Sequence, residues 1–269
     1  MDCTADLVER LQTWLGRLGV VQVAISGGVD SMTLGLVLGR IPDCQARMFH
    51  ARSPAVPPAA TARVERVAQR EGWNLQIVDA GEMEDEAYVV NPYRRCFHCK
   101  SHLYATLAGA GPGILLSGTN TDDLGDFRPG LEAAESYRVR HPFVECGVDK
   151  SCVRRICRHL GYPELSALPA SPCLSSRIET GIRIQPAVLG FVDRVETLLR
   201  HALPAQVVRC RIRSTEIAVQ LEPAVLSRLT QVAASNWTTR IRELATPLRL
   251  PTSIRFEPYL MGSAFVPDR

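Results

Sequence analysis

The stretch 26–31, Ser-Gly-Gly-Val-Asp-Ser, has the residue types and spacing to bind a phosphate group. It lies between an apolar run at 20–25 that predicts a strand and one at 32–38 that predicts a helix. The two glycines let the backbone approach a phosphate, and the helix N-terminus offers N–H groups and a positive dipole end. The serines add hydroxyl donors, and Asp30 could cap the helix or hold Mg²⁺. An ordinary Gly-Gly turn is the alternative interpretation.

This loop differs from two widespread phosphate loops. It lacks the lysine of G-x-x-x-x-G-K-[ST] and the spacing of G-x-G-x-x-G. It resembles instead the PP-loop of the ATP pyrophosphatases. That resemblance implies that ATP is cleaved between its α and β phosphates, which adenylates a substrate oxygen and makes it a good leaving group.

A second candidate for chemistry is the C-x-x-C formed by Cys96 and Cys99, next to Lys100 at the predicted start of a helix. Nearby positive charge and the helix dipole favour the thiolate. A thioredoxin-like pair would occupy another place in the fold, and a structural zinc site would need a second pair. Cys173 also stands in a probable active-site loop, and three thiolates can hold a [4Fe-4S] cluster with one open iron. Two ordinary thiols are the alternative.

Three arginines recur at every second position of a predicted strand at 206–213. Strand alternation places Arg209, Arg211 and Arg213 on one face. Guanidinium groups suit a phosphate better than ammonium groups do, because they can form paired hydrogen bonds. The alternative is a solvated strand face.

The elements that must position these residues alternate along the chain. Strands are predicted at 20–25, 46–50, 75–78 and 113–118, and helices at 7–18, 32–38, 59–71 and 96–108. Such β-α-β units predict an α/β fold, a parallel Rossmann-like sheet with helices on both faces. Ligands of such sheets lie at the carboxyl ends of the strands, where the loop 26–31 stands. The PP-loop resemblance implies the adenine nucleotide alpha hydrolase-like variety of this fold.

The later part of the chain predicts a smaller α/β domain, with a helix at 186–201 and strands at 206–213, 216–221 and 253–256. We therefore expect a PP-loop domain at 1–165, an active-site loop and linker with Cys173 at 166–183, and a domain for substrate phosphate and oligomer contacts at 184–269. Asp149 is expected to cap a helix. The patternless stretch 80–95 is long enough for a functional loop.

Composition limits the partners. A net charge of +3 and 6% aromatic residues make nucleic acid an improbable partner and favour a small anionic molecule. Nine cysteines, an odd number, do not indicate a disulfide framework. Because no apolar run approaches the ~18 residues of a membrane span and the first residues lack a signal-peptide pattern, we expect a cytoplasmic protein without membrane contact.

Taken together, these motifs resemble those of the LarE family. The resemblance covers about residues 5–182 and is carried by the stretches 26–31, 91–92, 95–96, 99–100, 118–120, 122–123, 126–130 and 172–177. LarE proteins are ATP-dependent sulfur transferases that thiolate a pyridinium carboxylate mononucleotide on the way to the nickel-pincer nucleotide cofactor. The chain departs from the family pattern after Arg177 and near its end, so the resemblance specifies the activation chemistry more closely than the substrate.

The resemblance implies roles for particular residues. In the family, the residue that matches Cys173 bears the sulfur. In some members this cysteine gives up its sulfur and becomes dehydroalanine, whereas other members also have the C-x-x-C and use an iron-sulfur cluster. This chain matches the second kind. The implied nucleotide and Mg²⁺ site comprises Ser26, Gly27, Gly28, Asp30, Ser31, His50, Gly118, Asp123 and Arg128. The implied catalytic set is Cys173, Cys96, Cys99 and Lys100, with the three cysteines as cluster ligands, and the implied substrate set is Arg177, Arg209 and Arg211.

The expected function is therefore sulfur transfer to an adenylated carboxylate of a small nucleotide-like molecule, with ATP, Mg²⁺, a [4Fe-4S] cluster and a sulfide or other sulfur donor, in a homo-oligomer. Three alternatives remain. A related thiolase could act on another nucleobase, nucleotide, natural product or tRNA. A non-sulfur adenylating amide synthetase would need no Cys173, and a nucleotide-binding regulator would show no turnover.

Overall fold

The computed structural model describes residues 3–125 and 129–260. The chain forms two compact units: unit 1 comprises Met1–Glu82 and Cys96–Ser171, and unit 2 comprises Met83–Arg95 and Pro172–Arg269. Along the described part of the chain, no helix is both long enough and apolar enough to cross a membrane.

Unit 1 is built on a four-stranded parallel sheet in the order β3-β2-β1-β4. Its strands are β1 (Val21–Ala24), β2 (Ala46–Ala51), β3 (Asn74–Val78) and β4 (Ile114–Leu116). The central strand β1 is buried along its whole length, as expected of a parallel strand covered on both faces. The predicted α/β fold with a parallel Rossmann-like sheet is confirmed.

The helices follow the predicted alternation. They are α1 (Cys3–Leu15), α2 (Val29–Leu38), α3 (Pro58–Glu71), α4 (Glu86–Val89), α5 (Arg95–Gly109), α6 (Pro129–Ser136), α7 (Pro142–Glu145), α8 (Lys150–His159), α9 (Pro163–Ser166), α10 (Pro186–Ala202), α11 (Pro223–Leu226) and α12 (Gln231–Ala245). Short 3₁₀ helices span Glu82–Glu84, Thr121–Gly125, Leu174–Arg177 and Thr246–Leu248.

Apolar side chains cover both faces of the unit 1 sheet. Val21 and Val23 of β1 pack into a cluster with α1, α2, α3 and α8. Ala24, Phe49 and Leu115 belong to a second cluster with α5 and α6. Because successive side chains of a strand point to opposite faces, these clusters lie on the two sides of the sheet and hold the carboxyl ends of its strands in place.

Unit 2 contains a second sheet in the order β5-β6-β7. Its strands are β5 (Val208–Ile212), β6 (Ile217–Leu221) and β7 (Ile254–Pro258). Strand β6 pairs antiparallel with β5 and parallel with β7. This smaller sheet contains all three strands predicted for the later part of the chain.

Unit 2 also includes the segment 83–95, which sequence analysis placed in the first domain as a loop. Asn91 joins this segment to the chain after Cys173, because its side-chain amide donates to the carbonyls of Glu179 and Ile182 at 2.8 and 3.0 Å. Its φ of 58° lies in the left-handed region, which asparagine tolerates better than most residues. These bonds depend on tertiary contacts that the local pattern of 80–95 does not encode.

Candidate active site

The stretch 26–31 forms the predicted turn between β1 and α2. The Ser31 hydroxyl accepts from the Ser26 N–H at 3.0 Å and donates to the Gly28 carbonyl at 3.2 Å, and the two serine hydroxyls lie 3.0 Å apart. The serines therefore brace the loop from inside. The first turn of α2 directs its N–H groups to the same place, since these have no partner within the helix.

Two glycines are required where backbones approach each other. Gly27 has a φ of +82°, and a Cβ there would lie 2.9 Å from the Ala60 carbonyl oxygen. Gly118 follows β4, and a Cβ there would lie 2.6 Å from the Ser31 nitrogen. The backbone just after β4 thus lies in close contact with the start of α2. Gly28 differs, because its nearest obstacle to a Cβ is the Ser26 Oγ at 3.5 Å.

Asp30 does not cap α2, contrary to one of its two predicted roles. Gly28 occupies the N-cap position without a side-chain cap, and Asp30 lies inside the first turn. Its carboxylate accepts from the Asn120 amide at 3.2 Å and from the Lys150 ammonium at 2.5 Å. The loop without a lysine of its own thus receives one from α8, 120 residues further along the chain.

The connection after β4 completes this edge of the sheet. The backbone N–H of Asn120, a buried residue, donates to the Asp123 carboxylate at 3.1 Å, and its side-chain oxygen accepts from the Asp122 N–H at 3.0 Å. These bonds orient the Asn120 amide toward Asp30. Arg128, also predicted at the nucleotide, lies outside the described residues.

His50, predicted at the nucleotide, is fully buried at the end of β2. Its Nδ1 lies 2.8 Å from the Ile25 carbonyl oxygen and its Nε2 lies 2.9 Å from the Thr61 hydroxyl. Since a carbonyl only accepts, Nδ1 carries the proton and Nε2 accepts from Thr61. Burial lowers the pKa of His50, which favours this neutral form. Both ring nitrogens are used inside the protein, so the ring positions the chain beside the loop and does not offer a nitrogen to a ligand.

A histidine that sequence analysis did not select stands at the same edge. The Nδ1 of His141 lies 2.8 Å from the Ser117 hydroxyl, which lies 3.0 Å from the Thr119 hydroxyl. Burial lowers the pKa of His141, and the positive charge of Lys100 acts in the same direction. The ammonium of Lys100, the predicted catalytic lysine, lies 5.7 Å from the Tyr104 ring centroid.

Cys96 and Cys99 lie near the start of α5, as predicted, and both are half-buried. They belong to unit 1, whereas Cys173 belongs to unit 2. Within residues 3–125 and 129–260, no group of three or more His, Cys, Asp or Glu side chains is placed to hold a metal ion. The three-cysteine cluster therefore stays a prediction.

Cys173 is exposed and precedes the 3₁₀ turn Leu174–Arg177. Arg177, predicted to bind substrate, is instead buried, and its guanidinium donates to both carboxylate oxygens of Glu196, at 2.8 and 3.1 Å. The same guanidinium donates to the carbonyl oxygens of Pro172 and Cys173. Arg177 therefore bonds to the backbone of the loop that carries the exposed thiol of Cys173.

The arginines of β5 are not a solvated face. Arg209 and Arg211 are 5% and 6% exposed. Arg211 donates to the Gln220 side-chain oxygen at 2.6 Å and to the Ser176 carbonyl at 3.0 Å, and both acceptors are neutral. Burial, followed by the charge of Arg177, lowers the pKa of Arg211 to about 10. Buried positive charge of this kind favours an anionic ligand.

Arg213, which was predicted on the same strand face but directly follows the end of β5, has a different environment. It is half-buried and pairs with the carboxylates of Glu216 at 2.6 Å and Glu257 at 2.5 Å. These contacts raise the pKa of Arg213, chiefly through the hydrogen bond that it donates to Glu257. Its charge is thus compensated within the protein, which makes Arg213 a natural reference for Arg209 and Arg211.

Sequence analysis missed Lys150 and Glu196. A signal for Lys150 exists, because it and Lys100 are the two lysines of a chain whose Lys and Arg residues total 31. Lysine and arginine are not interchangeable beside phosphate or metal, so such scarcity makes each lysine worth placing. Glu196 has no comparable signal, since a single acidic residue in a helix ordinarily faces solvent.

The structure defines an α/β protein with a parallel sheet and a glycine-containing loop, 26–31, after its first strand. No protein-family model matches the chain. It is 35% identical over 228 residues to an uncharacterized protein of Synechocystis, slr1717, with 83% of this chain and 84% of that protein covered. The chain belongs to the family of this Synechocystis protein.

Two more distant relatives extend the comparison. The chain is 25% identical over 183 residues to an uncharacterized protein of Methanocaldococcus jannaschii, MJ0830, with 66% and 69% of the two chains covered. It is 26% identical over 209 residues to the pyridinium-3,5-bisthiocarboxylic acid mononucleotide synthase of Lactiplantibacillus plantarum, with 76% and 75% covered. This distant similarity is consistent with a LarE-like family.

Proposed function

We propose that this protein is an ATP-dependent sulfurtransferase that adenylates a carboxylate of a small nucleotide-like substrate and replaces the AMP with sulfur. The observation that carries the proposal is the exposed thiol of Cys173, held on a loop in the same unit as the buried Arg209 and Arg211. The distant relative named as a bisthiocarboxylic acid mononucleotide synthase supports it, because that product contains sulfur in place of carboxylate oxygen.

The activation half of the reaction belongs to unit 1. A substrate carboxylate oxygen attacks the α-phosphorus of ATP, and pyrophosphate leaves. The loop 26–31 supplies backbone N–H groups to the phosphates, and Lys150 supplies the positive charge that the loop lacks. The carboxylate of Asp30 is of the ligand type that Mg²⁺ prefers, and a bound Mg²⁺ would neutralise phosphate charge there.

The sulfur half of the reaction begins when a sulfur nucleophile attacks the acyl carbon and AMP leaves. If Cys173 is the donor, a thioester forms first. Loss of the Cα proton then breaks the Cβ–S bond, so the sulfur stays on the substrate and Cys173 becomes dehydroalanine. If exogenous sulfide is the donor, Cys173 stays intact. The predicted [4Fe-4S] cluster concerns the second route.

Substrate recognition is assigned to Arg209 and Arg211. Both guanidiniums are buried on one face of β5, and the acceptors of Arg211 within the protein are neutral. A phosphate of the substrate would complete this site with charge-assisted hydrogen bonds. A pyridinium carboxylate mononucleotide has both the carboxylate for activation and the phosphate for binding.

The experiment is incubation of anaerobically prepared protein with ATP, Mg²⁺, sulfide and pyridinium-3,5-biscarboxylic acid mononucleotide. Pyrophosphate and thiolated product are measured separately. We expect both from the wild type and from a Cys44→Ser control, and pyrophosphate without thiolated product from Cys173→Ser. The mass of Cys173 after turnover distinguishes the routes, because a sacrificial donor loses one sulfur and two hydrogens.

A second variant tests the loop. Gly28→Val fills the space intended for phosphate but meets only Ser26 Oγ at 3.5 Å for its Cβ, so the protein should fold while pyrophosphate release falls to background. Pyrophosphate release without any sulfur incorporation, stimulated by ammonia, would indicate an amide synthetase. Absence of substrate-dependent pyrophosphate release by the wild type would contradict the proposal.

A further inference from the structure

We propose that Arg177 and Glu196 form a positioning pair that fixes the backbone of Cys173 and ties it to strand β5. The inference rests on the proposed function and deepens it, since it concerns how the sulfur-bearing residue is held. It replaces the substrate contact expected of Arg177 from family resemblance. Both residues, Cys173 and β5 belong to unit 2.

The hydrogen-bonding capacity of Arg177 is used inside the protein. Nε and Nη2 donate to the two carboxylate oxygens of Glu196. Nη1 donates to the carbonyls of Pro172 at 2.7 Å and Cys173 at 3.1 Å, and lies 2.9 Å from the Ser176 hydroxyl. Every nitrogen of the guanidinium thus donates within the protein, and the residue is 2% exposed, which leaves little of it accessible to a substrate.

These bonds act on the peptide groups on both sides of Cys173. The Pro172 carbonyl belongs to the peptide group before Cys173, and the Cys173 carbonyl to the one after it. The Cys173 carbonyl also accepts from the Ser176 N–H at 3.0 Å, which closes the 3₁₀ turn. The next side chain, Leu174, is 2% exposed and anchors the turn. The exposed thiol therefore projects from a backbone that is held on both sides.

Glu196 connects this loop to β5. Its Oε1 accepts from the backbone N–H of Cys210 at 3.0 Å, and Cys210 lies between Arg209 and Arg211 in the strand. Arg211 adds a second link, because it donates to the Ser176 carbonyl at 3.0 Å. The sulfur-bearing loop and the strand assigned to the substrate phosphate are thus fastened to each other. The consequence is a fixed distance between the sulfur donor and the bound phosphate.

The ion pair of Arg177 and Glu196 is almost fully buried, so its geometry affects the stability of the surrounding fold. Both side chains are 1% exposed. Removing one partner of such a pair would leave a buried charge without compensation, which would disturb the fold as a whole. Lysine keeps the charge of Arg177 but lacks the planar fork, so it cannot hold Glu196 and two carbonyls at once. Arg177→Lys is therefore the informative change.

The test compares Arg177→Lys and Glu196→Asp, which both keep the charges of the pair, with Arg183→Lys. The control alters another bidentate arginine–glutamate pair of unit 2, that of Arg183 with Glu86, which is exposed. Four quantities are measured: hydrogen exchange, the rates of pyrophosphate release and of thiolation, and the KM for substrate. Hydrogen exchange of the Ser176 and Ile178 N–H groups, without substrate, reports the turn. Single-turnover assays report pyrophosphate release and thiolated product separately.

We expect Arg177→Lys and Glu196→Asp to exchange faster at Ser176 and Ile178, and to form thiolated product about 10- to 100-fold more slowly, because small misplacements of reacting groups have effects of that size. Their first-turnover pyrophosphate release and the KM for substrate should stay within about twofold of wild type. The Arg183→Lys control should match wild type in all four measurements.

Two results would overturn the inference. One is thiolation by Arg177→Lys at the wild-type rate with unchanged exchange at Ser176 and Ile178. The other is faster exchange throughout unit 2 with equal losses of pyrophosphate release and thiolation, which would show a general structural role. Failure of the wild type to thiolate any substrate would refute the proposed function instead, and the exchange comparison would still test the pair.

Discussion

The anion sites proposed for the two units are built by different means. In unit 1 the loop 26–31 uses backbone N–H groups, two glycines and the N-terminus of α2, and its serine hydroxyls are bonded within the loop. In unit 2 the guanidinium groups of Arg209 and Arg211 are buried on β5. The first site depends on how closely backbones approach, whereas the second depends on how charges are balanced.

Because of this difference, we expect the two sites to respond differently to substitutions. A backbone site should fail when a single methyl group separates two chain segments, as at Gly118. A side-chain site should respond to which arginine is removed, because Arg213 is neutralised by Glu216 and Glu257 whereas Arg211 donates to neutral oxygens. The predictions below follow from this contrast.

Gly118→Ala should have the largest effect. Its Cβ would lie 2.6 Å from the Ser31 nitrogen and 2.8 Å from the Asp30 carbonyl carbon, so backbone atoms must move. We expect a loss of stability of about 1–3 kcal/mol and pyrophosphate release reduced to background. Thermal unfolding and the pyrophosphate assay measure these effects. Gly125→Ala is the control, because a Cβ there meets nothing within 4 Å. Wild-type activity in Gly118→Ala would show that the approach of β4 to α2 does not shape the site.

Lys150→Ala should have the next largest effect, on activity and not on the fold. The ammonium is the cation that the structure places on the Asp30 carboxylate, and its side chain is one-third exposed. We expect pyrophosphate release to fall by about 10²-fold, similar to loss of one electrostatic donor in other active sites, with little change in thermal unfolding. Lys150→Arg should recover only part of this loss, because the guanidinium is larger and planar. Equal rates for Lys150→Ala and wild type would remove Lys150 from the site.

Much of this arrangement follows from local sequence patterns. The loop 26–31, the strands of both sheets and the end of α3 at Gly72 lie where apolar periodicity and glycine predicted them. Such features depend on neighbours within one or two turns of chain. The alternation of Arg209, Arg211 and Arg213 likewise required only the period of a strand.

The remaining features depend on contacts between distant segments. Lys150 meets Asp30 across 120 residues, and no local pattern encodes that distance. Arg177 looked like a substrate ligand because a motif identifies a residue type and not whether its donors are already used. The segment 83–95 joined unit 2 through Asn91, whose bonds reach residues 87 to 91 positions further along the chain. Tertiary structure decides each of these.

Arg209→Ala should affect substrate affinity and leave activation of ATP unchanged. We expect the KM for a phosphorylated substrate to rise by about 10- to 100-fold, since a hydrogen bond to a charged group contributes about 1.5–3 kcal/mol. ATP binding should match wild type. Arg213→Ala is the matched control, because Arg213 directly follows β5 and its charge is already compensated by Glu216 and Glu257. Equal effects of the two variants would show that burial of Arg209 serves only packing.

Asp149→Ala should have the smallest effect, confined to stability and dependent on pH. The Asp149 carboxylate accepts from the Cys152 N–H at 2.7 Å at the start of α8, so it is an anion on backbone N–H groups like the phosphate expected at 26–31. This hydrogen bond lowers the pKa of Asp149 to about 2 from 3.8. A depressed carboxyl pKa stabilises the fold above the unfolded value and loses that effect as pH falls toward the folded value. Urea unfolding should therefore show wild type more stable than Asp149→Ala near neutral pH, with the difference shrinking below about pH 4.

Asp149→Asn keeps a cap without the charge and should show a smaller difference from wild type in unfolding free energy, with little pH dependence. If the difference in unfolding free energy between wild type and Asp149→Ala stays constant over this pH range, the cap acts through its shape alone. The comparison between this helix N-terminus and the loop 26–31 would then not extend to charge.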